Sequence, residues 1–359
     1  MTAPLPTRRD AIAGLAASGA ALATASACAQ GADGPAPGEA LSEPGWTAAP
    51  ALPIRVQEIY PAALAGGILV AGGLSPDVGE GEIGISNRVF GWAPGQPRWR
   101  ELPRLPLATH HPNCVGVGNR VFAIGGFTAR NGGPWSMTDA VRVFDADREQ
   151  WRSGPDLPGP WAETVAATLD DGTIHVVTGR RPAGLSNAQW SHHADTNAHL
   201  MLPPGSDAWT TVAPAPTARN SASGAVLDER LHVIGGRTVN GGNTPVHEVY
   251  DPFEDRWETR APLPEPQAGP RGSGGLAAAA LNGRIHVFGG EWFSPSGGGV
   301  YDQVWAYDPE ADAWSEASRM PTARHGLGAL RIADAIYTIA GAAAAGGNRT
   351  SAAVEALSP

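Results

Sequence analysis

Residues 231–257 read LHVIGGRTVNGGNTPVHEVYDPFEDRW. A short β-rich run, Leu231 to Ile234, ends in the pair Gly235-Gly236, and a second run ending at Tyr250 leads through an acidic turn to Trp257. Alternating side chains bounded by Gly, Pro, Asn and Asp mark short antiparallel strands joined by turns. The first element recurs as ILVAGG (68–73), VFAIGG (121–126), IHVVTG (174–179), IHVFGG (285–290) and IYTIAG (336–341), with starts 51 to 57 residues apart. The second recurs as Phe144-Asp145 with Trp151 and Tyr307-Asp308-Pro309 with Trp314, and Trp99 and Trp209 complete the internal set. One four-stranded sheet cannot bury both of its faces, whereas sheets of this length stacked around an axis can. The expectation is all-β: a six-bladed β-propeller.

The chain ends supply a separate argument. The sixth unit stops at Val354-Glu355-Ala356-Leu357, which matches the segment from Val246 in the fourth, and it lacks the Trp strand. Trp46, in PGWTAAPALP, precedes the first glycine pair and supplies the missing strand. The N-terminal strand is therefore predicted to pair with the C-terminal blade, which removes an exposed sheet edge and makes 45–359 one closed domain.

Through the double glycine, the Tyr or Phe before Asp and the spaced Trp, this region resembles the Kelch-repeat family. The resemblance implies a Kelch-type propeller, with function carried on loops rather than in the repeat itself.

Composition narrows the partners. Of 359 residues, 17% are charged and 42% hydrophobic, enough apolar content for a large core. The formal charge is −10 and all 25 cationic residues are Arg, so nucleic acid is a poor partner. Cys114 is the one thiol expected in the propeller, which excludes an internal disulfide. Near the N-terminus, Arg8-Arg9 precedes an uncharged stretch from Ala11 to Ala27. It reads as a twin-arginine-type signal peptide over 1–29, with a flexible linker at 30–44 and a periplasmic or secreted destination. Ala27-Cys28 forms a weak lipobox, a candidate lipid anchor, although the usual Leu is missing. No other segment is long and apolar enough for a transmembrane span.

Repeat alignment separates scaffold from candidate site. His175, His232 and His286 occupy the position of Leu69, Phe122 and Tyr337, which is a packing position. Tyr250, Tyr307 and Phe144 are equivalent to one another and belong between sheets, with each hydroxyl needing a partner. Glu248 and Glu355 share a register and are expected to face solvent. Galactose oxidase has a Kelch-type propeller, but its chemistry needs copper held by His and a Tyr cross-linked to Cys, and no matching ligand spacing is present. Copper radical chemistry is disfavoured, and no metal or cofactor is expected. His192-His193-Ala194-Asp195 with His199 has ligand types that suit zinc at a spacing that matches no standard site. The SxDxGxTW boxes of sialidase propellers are also missing.

In a meander of this kind the loops after strands one and three leave from one face and those after strands two and four from the other. The segments after the glycine pairs, such as 127–139, 180–197 and 291–302, are the long ones, so variable chemistry should gather on their face. The segments leading into each inner strand open there too. They carry Arg55, Arg219, Arg324 and nearby Arg271, which could grip a carboxylate, together with His110, His111, Trp161 and Glu163. The long loops add Trp135, Trp190, Trp292, Arg130, Arg181, Arg237 and Glu291. Arg55, Arg219, Arg324, Arg271, Trp161 and Trp292 are thus the candidate ligand-binding residues for a glycan or protein on this face. The alternative is a sugar mutarotase resembling the bacterial N-acetylneuraminate epimerases. There Glu163 or Glu291 would be the base, His110 or His325 the acid, and Arg219 or Arg324 the carboxylate clamp.

Overall fold

A computed structural model describes residues 43, 45–79, 83–130, 133–295 and 297–358. The signal peptide assigned to 1–29, Cys28, and the linker at 30–44 apart from Glu43 lie outside the described residues. Six four-stranded antiparallel sheets surround one axis, and the chain runs through each from inner to outer strand. Blade four shows the order: Ser223–Leu227, Arg230–Ile234, His247–Asp251 and Arg256–Thr259. Blade six takes three strands, Gly328–Ile332, Ala335–Ile339 and Val354–Leu357, from the end of the chain. Its fourth is Trp46–Ala49, paired Trp46 to Leu357 and Ala49 to Val354. The predicted closure is present in that register. Among the described residues no helix is long and apolar enough to cross a membrane.

The spaced tryptophans staple neighbouring blades. Each indole N–H donates to the blade before it: Trp99 to Pro50 O (2.7 Å), Trp151 to Pro103 O (2.7 Å), Trp209 to Pro155 O (2.8 Å), Trp257 to Ala213 O (2.8 Å) and Trp314 to Ala261 O (2.7 Å). Trp46 completes the circuit by donating to Ser318 Oγ at 2.8 Å, its ring buried edge-on against Phe288. Trp46→Phe keeps most of that packing and removes the hydrogen bond. It is expected to cost about 1 kcal/mol in urea unfolding, and an unchanged midpoint would mean the staple contributes nothing.

The acidic turns serve the same joints. Tyr250 donates to Asp255 (2.8 Å) and Tyr307 to Asp312 (2.7 Å), and the two carboxylates also accept the backbone N–H of Ala213 and Ala261. The repeat histidines are buried here as packing groups. The third strand supplies partners that the alignment did not show, with His175 2.9 Å from His199 and His232 2.9 Å from His247.

Glu248 and Glu355, expected to face solvent, are instead buried, because each is the counter-ion of a buried arginine. Sequence register placed the pair on one sheet face without revealing that the facing side chain was cationic.

The last glycine of each repeated β-rich run positions everything above it. Gly126, Gly179, Gly236 and Gly341 have φ from +96° to +99°, and a Cβ there would lie 2.6–2.7 Å from a carbonyl oxygen of the segment leading into the same blade. Only glycine accepts both the left-handed backbone and that contact. The segment is thereby held against the exit of the second strand, at the rim of the axis.

Candidate functional site

Beyond each glycine pair the chain forms a two-stranded ribbon, six in all, for example Arg180–Pro182 with His193–Asp195 and Glu291–Ser294 with Gly297–Val300. In every blade one lead-in residue bridges to the first ribbon residue: Gln57 to Leu74, His110 to Phe127, Ala162 to Arg180, Asn220 to Arg237, Gly274 to Glu291 and His325 to Ala342. The next residue is always left-handed: Glu58, His111, Glu163, Ser221, Gly275 and Gly326, with φ between +51° and +67°. These six residues encircle the axis. Backbone bonds join Gly326 to Glu58 (2.7 Å), Glu58 to His111 (3.0 Å), Glu163 to Ser221 (3.2 Å), Ser221 to Gly275 (2.9 Å) and Gly275 to Gly326 (2.8 Å). Deeper along the axis lies a cavity of about 80 Å³ lined by the starts of the inner strands, including Asn113, Cys114, Thr164 and Ser223. Burial pushes the Cys114 thiol up to about 12.

Charged side chains gather on this ring and are buried. His111 Nε2 is 2.7 Å from Glu58 and 3.8 Å from Glu163. Arg180 Nε is 2.9 Å from Glu163, which also accepts the Ser221 hydroxyl at 2.8 Å. Around the ring, Glu291 takes Arg237 at 2.7 Å, the Gly346 N–H at 3.0 Å and His325 Nδ1 at 3.4 Å. Burial works against the Arg237 charge, but Glu291 and Glu163 outweigh it and raise its pKa above the ordinary value. His110 and His111 face each other with Nδ1 atoms 2.7 Å apart, so one of the two donates. Carboxylates, imidazoles and guanidiniums in a water-poor setting can bind a carboxylate, hold hydroxyls and move a proton.

Glu163, Glu291, His110 and His325 therefore converge on the axial mouth, as does His111. The arginine candidates do not. Arg219 is fully buried within its own blade, donating to Gly235 O (2.9 Å), Thr217 O (3.0 Å) and Val233 O (3.0 Å), with Glu248 as counter-ion. Arg324 repeats this with Ala340 O (2.9 Å), Ala353 O (3.0 Å), Thr338 Oγ1 (3.0 Å) and Glu355. Every donor edge of both groups faces the scaffold, so the ligand-clamp expectation gives way to a structural role. Trp161 is likewise core, fully buried with its indole N–H on Thr178 O at 2.5 Å. Arg55 pairs with Asp77 at an exposed surface, and Arg271 donates to Leu263 O at 2.6 Å from an exposed position. Trp292 stays half-buried on its ribbon, closely flanked by Gly269 and Gly299.

The guanidiniums at the mouth are Arg180 and Arg237, and Arg180, Glu58 and Ser221 were not singled out in the sequence. The available signal was the residue directly after each glycine pair, where blades three and four alone carry Arg. The suspected zinc set disperses: His199 pairs with His175, Asp195 takes Asn220 and the Val239 N–H, and half-buried His192 accepts the Ala188 N–H. Among the described residues no three His, Cys, Asp or Glu side chains form a metal-ligand group.

Fold and site together define a Kelch-repeat β-propeller, a class whose members typically act as protein-interaction scaffolds. A family model described as the KLHDC2/KLHL20/DRC7 Kelch-repeats domain matches residues 110–341, and the chain belongs to that family. It is 27% identical over 294 residues to Kelch-like protein terF of Aspergillus terreus, covering 79% of this chain and 62% of that one. To Kelch-like protein 35 of Mus musculus it is 29% identical over 233 residues, covering 64% of this chain and 34% of that one. The chain thus spans less than two thirds of these relatives' length. Among solved structures, YjhT superposes with a TM-score of 0.70 over 85% of this chain and 95% of its own, at 14% identity, a likeness of fold.

Proposed function

We propose that this is an exported propeller whose axial mouth binds a small hydroxylated ligand carrying a carboxylate, a sugar acid. The observation that carries the reading is a contrast within the repeat. At six equivalent left-handed positions, blades four to six hold Ser221, Gly275 and Gly326, whereas blades one to three hold Glu58, His111 and Glu163. Glycine takes this backbone freely, a larger residue takes it at a cost of about 1–3 kcal/mol, and buried charge adds desolvation. Ser221, Gly275 and Gly326 hold the same place in the ring without any charge, so the charge at Glu58, His111 and Glu163 points to chemistry. Arg180 and Arg237 suit a carboxylate, while Ser221, His111 and the glutamates suit hydroxyls. Access requires the ribbons, each a separate hairpin, to part. The Arg8-Arg9 leader supports export. A polypeptide lying across the ribbons is what the family's typical role would favour, and the same titration discriminates.

The test is calorimetric titration with D-glucuronic acid. Wild type is expected to bind it, and Glu163→Gln to weaken binding about tenfold or more by removing a charged acceptor. A wild type that retains neither acidic nor neutral sugars, while a peptide library yields a binder, overturns the reading.

The 2.7 Å contact of His111 with Glu58, with Glu163 at 3.8 Å, favours one further reading, the mutarotase. A carboxylate would take the anomeric hydroxyl proton while the imidazolium protonated the ring oxygen, opening the ring. Arg180 or Arg237 would hold the sugar carboxylate in place of Arg219 and Arg324. NMR of freshly released α-sialic acid decides it, since an anomerisation rate unmoved by added protein removes the enzyme.

A further inference from the structure

The ribbons of blades two and three bring four aromatic rings together beside the axial mouth. Phe127 lies 6.2 Å from Trp135 and 5.8 Å from His193, and His193 lies 6.3 Å from Trp190, between ring centroids. His193 is 6% exposed, yet among the described residues neither of its ring nitrogens has a hydrogen-bond partner. The buried indole Nε1 of Trp190, three residues away on the same ribbon, has none either. Three polar atoms without partners in one small region are costly, and native interiors rarely keep them without a use. The buried histidines at 175, 199, 232 and 247 each have a partner, and buried His286 leaves only Nδ1 without one, whereas His193 leaves both nitrogens. Burial, with Arg180 beside it, holds His193 down to about 4, so the ring is neutral at ordinary pH. A neutral imidazole offers one donor and one acceptor. That pair matches a hydroxyl, which also gives one and takes one, whereas a carboxylate would use only the donor and a cation only the acceptor. Trp135, half-buried against the core ring of Phe127, supplies flat apolar surface of the kind that the C–H face of a sugar ring covers.

This group is joined to the axial site through one side chain. The Arg180 guanidinium lies 3.4 Å from the centroid of the Trp190 ring while its Nε is 2.9 Å from Glu163. We propose that Trp135, Trp190 and His193, backed by the core ring of Phe127, form a second subsite that takes a neutral hydroxylated ring, so that the ligand is a chain of at least two sugar units. The acidic unit lies at the axis and the neutral unit on the ribbons of blades two and three. The proposal rests on the axial reading above and adds the length and the neutral half of the ligand.

The test compares D-glucuronic acid with cellobiouronic acid, its disaccharide with glucose, by calorimetry on the full chain. Wild type is expected to bind the disaccharide at least about tenfold more tightly, the worth of one or two well-placed hydrogen bonds. His193→Phe keeps an aromatic ring in a buried place and removes both unpartnered nitrogens. It should bring the affinity ratio close to one without lowering the melting temperature, since an unsatisfied group is lost. Trp190→Phe keeps a ring against Arg180, loses the indole N–H, and should reduce the ratio by a smaller factor. Equal binding of the two sugars by wild type, with the ratio unmoved in both variants, overturns the subsite and leaves the axial site standing. Binding of neither sugar overturns both.

Discussion

Arg324→Ala is expected to lower the unfolding free energy by about 3–5 kcal/mol, and Arg219→Ala to do the same. Each change strands a buried carboxylate, Glu355 or Glu248, and removes the donors from several buried carbonyl oxygens at once. An uncompensated charge in a dry interior keeps its desolvation cost after losing its attraction. Burial pulls the pKa of both arginines below the ordinary value against the opposing pull of their glutamates, which marks how dry the sites are. Replacing both partners of a pair, as in Arg219→Met with Glu248→Leu, should recover much of the loss, because neither member is left alone. Urea midpoints read the effect. A pair of single variants as stable as wild type but unable to bind ligand would return these arginines to the list of ligand contacts.

Acid should unfold this protein well before its carboxylates titrate. Burial holds His175 and His247 down to about 4 and His199 and His232 down to about 3, against an ordinary value of 6.5. Below about pH 6.5 the unfolded chain therefore takes up protons that the folded chain refuses, and stability falls as pH drops toward the folded values. The slope is about 1.4 kcal/mol per pH unit for each imidazole that the fold keeps neutral. The two pairs sit at equivalent places between blades, against Tyr250 and Trp257 in one case and Tyr307 and Trp314 in the other. Asp255 and Asp312, beside them, are already held below the usual carboxylate range and stay charged through this window. Urea midpoints between about pH 7.5 and pH 5 should fall steadily, and His199→Gln with His247→Gln should flatten the trend. A flat profile in wild type would contradict the assignment of these histidines as neutral packing groups.

Residues that look alike in sequence are used differently in the fold. Arg219 and Arg237 both sit on the fourth blade, and only the fold directs one into carbonyl oxygens of its own sheet and the other to Glu291 near the axis. Glu248 and Glu291 diverge in the same way. The histidines were easier, because a position shared with Leu69 and Phe122 is a packing position whatever residue fills it. The acid and base candidates were legible for a related reason: Glu163, Glu291, His110 and His325 break the repeat at places where the repeat does not need them. Arg180 breaks it too, directly after Gly179, at a place filled by residues as different as Leu74, Phe127 and Ala342 in other blades.

Sequence alone determined the six sheets, their order and the closure by Trp46, because strand periodicity, left-handed glycines and spaced tryptophans act over a few residues and recur. It also determined which segments share a rim, since a meander alternates its turns between two ends. Tertiary structure alone decided which charges meet. Whether a guanidinium reaches a carbonyl, a counter-ion or a neighbouring blade depends on side-chain direction and on distances of a few ångströms between segments as far as 54 residues apart, and Coulomb and hydrogen-bond energies change steeply over such distances.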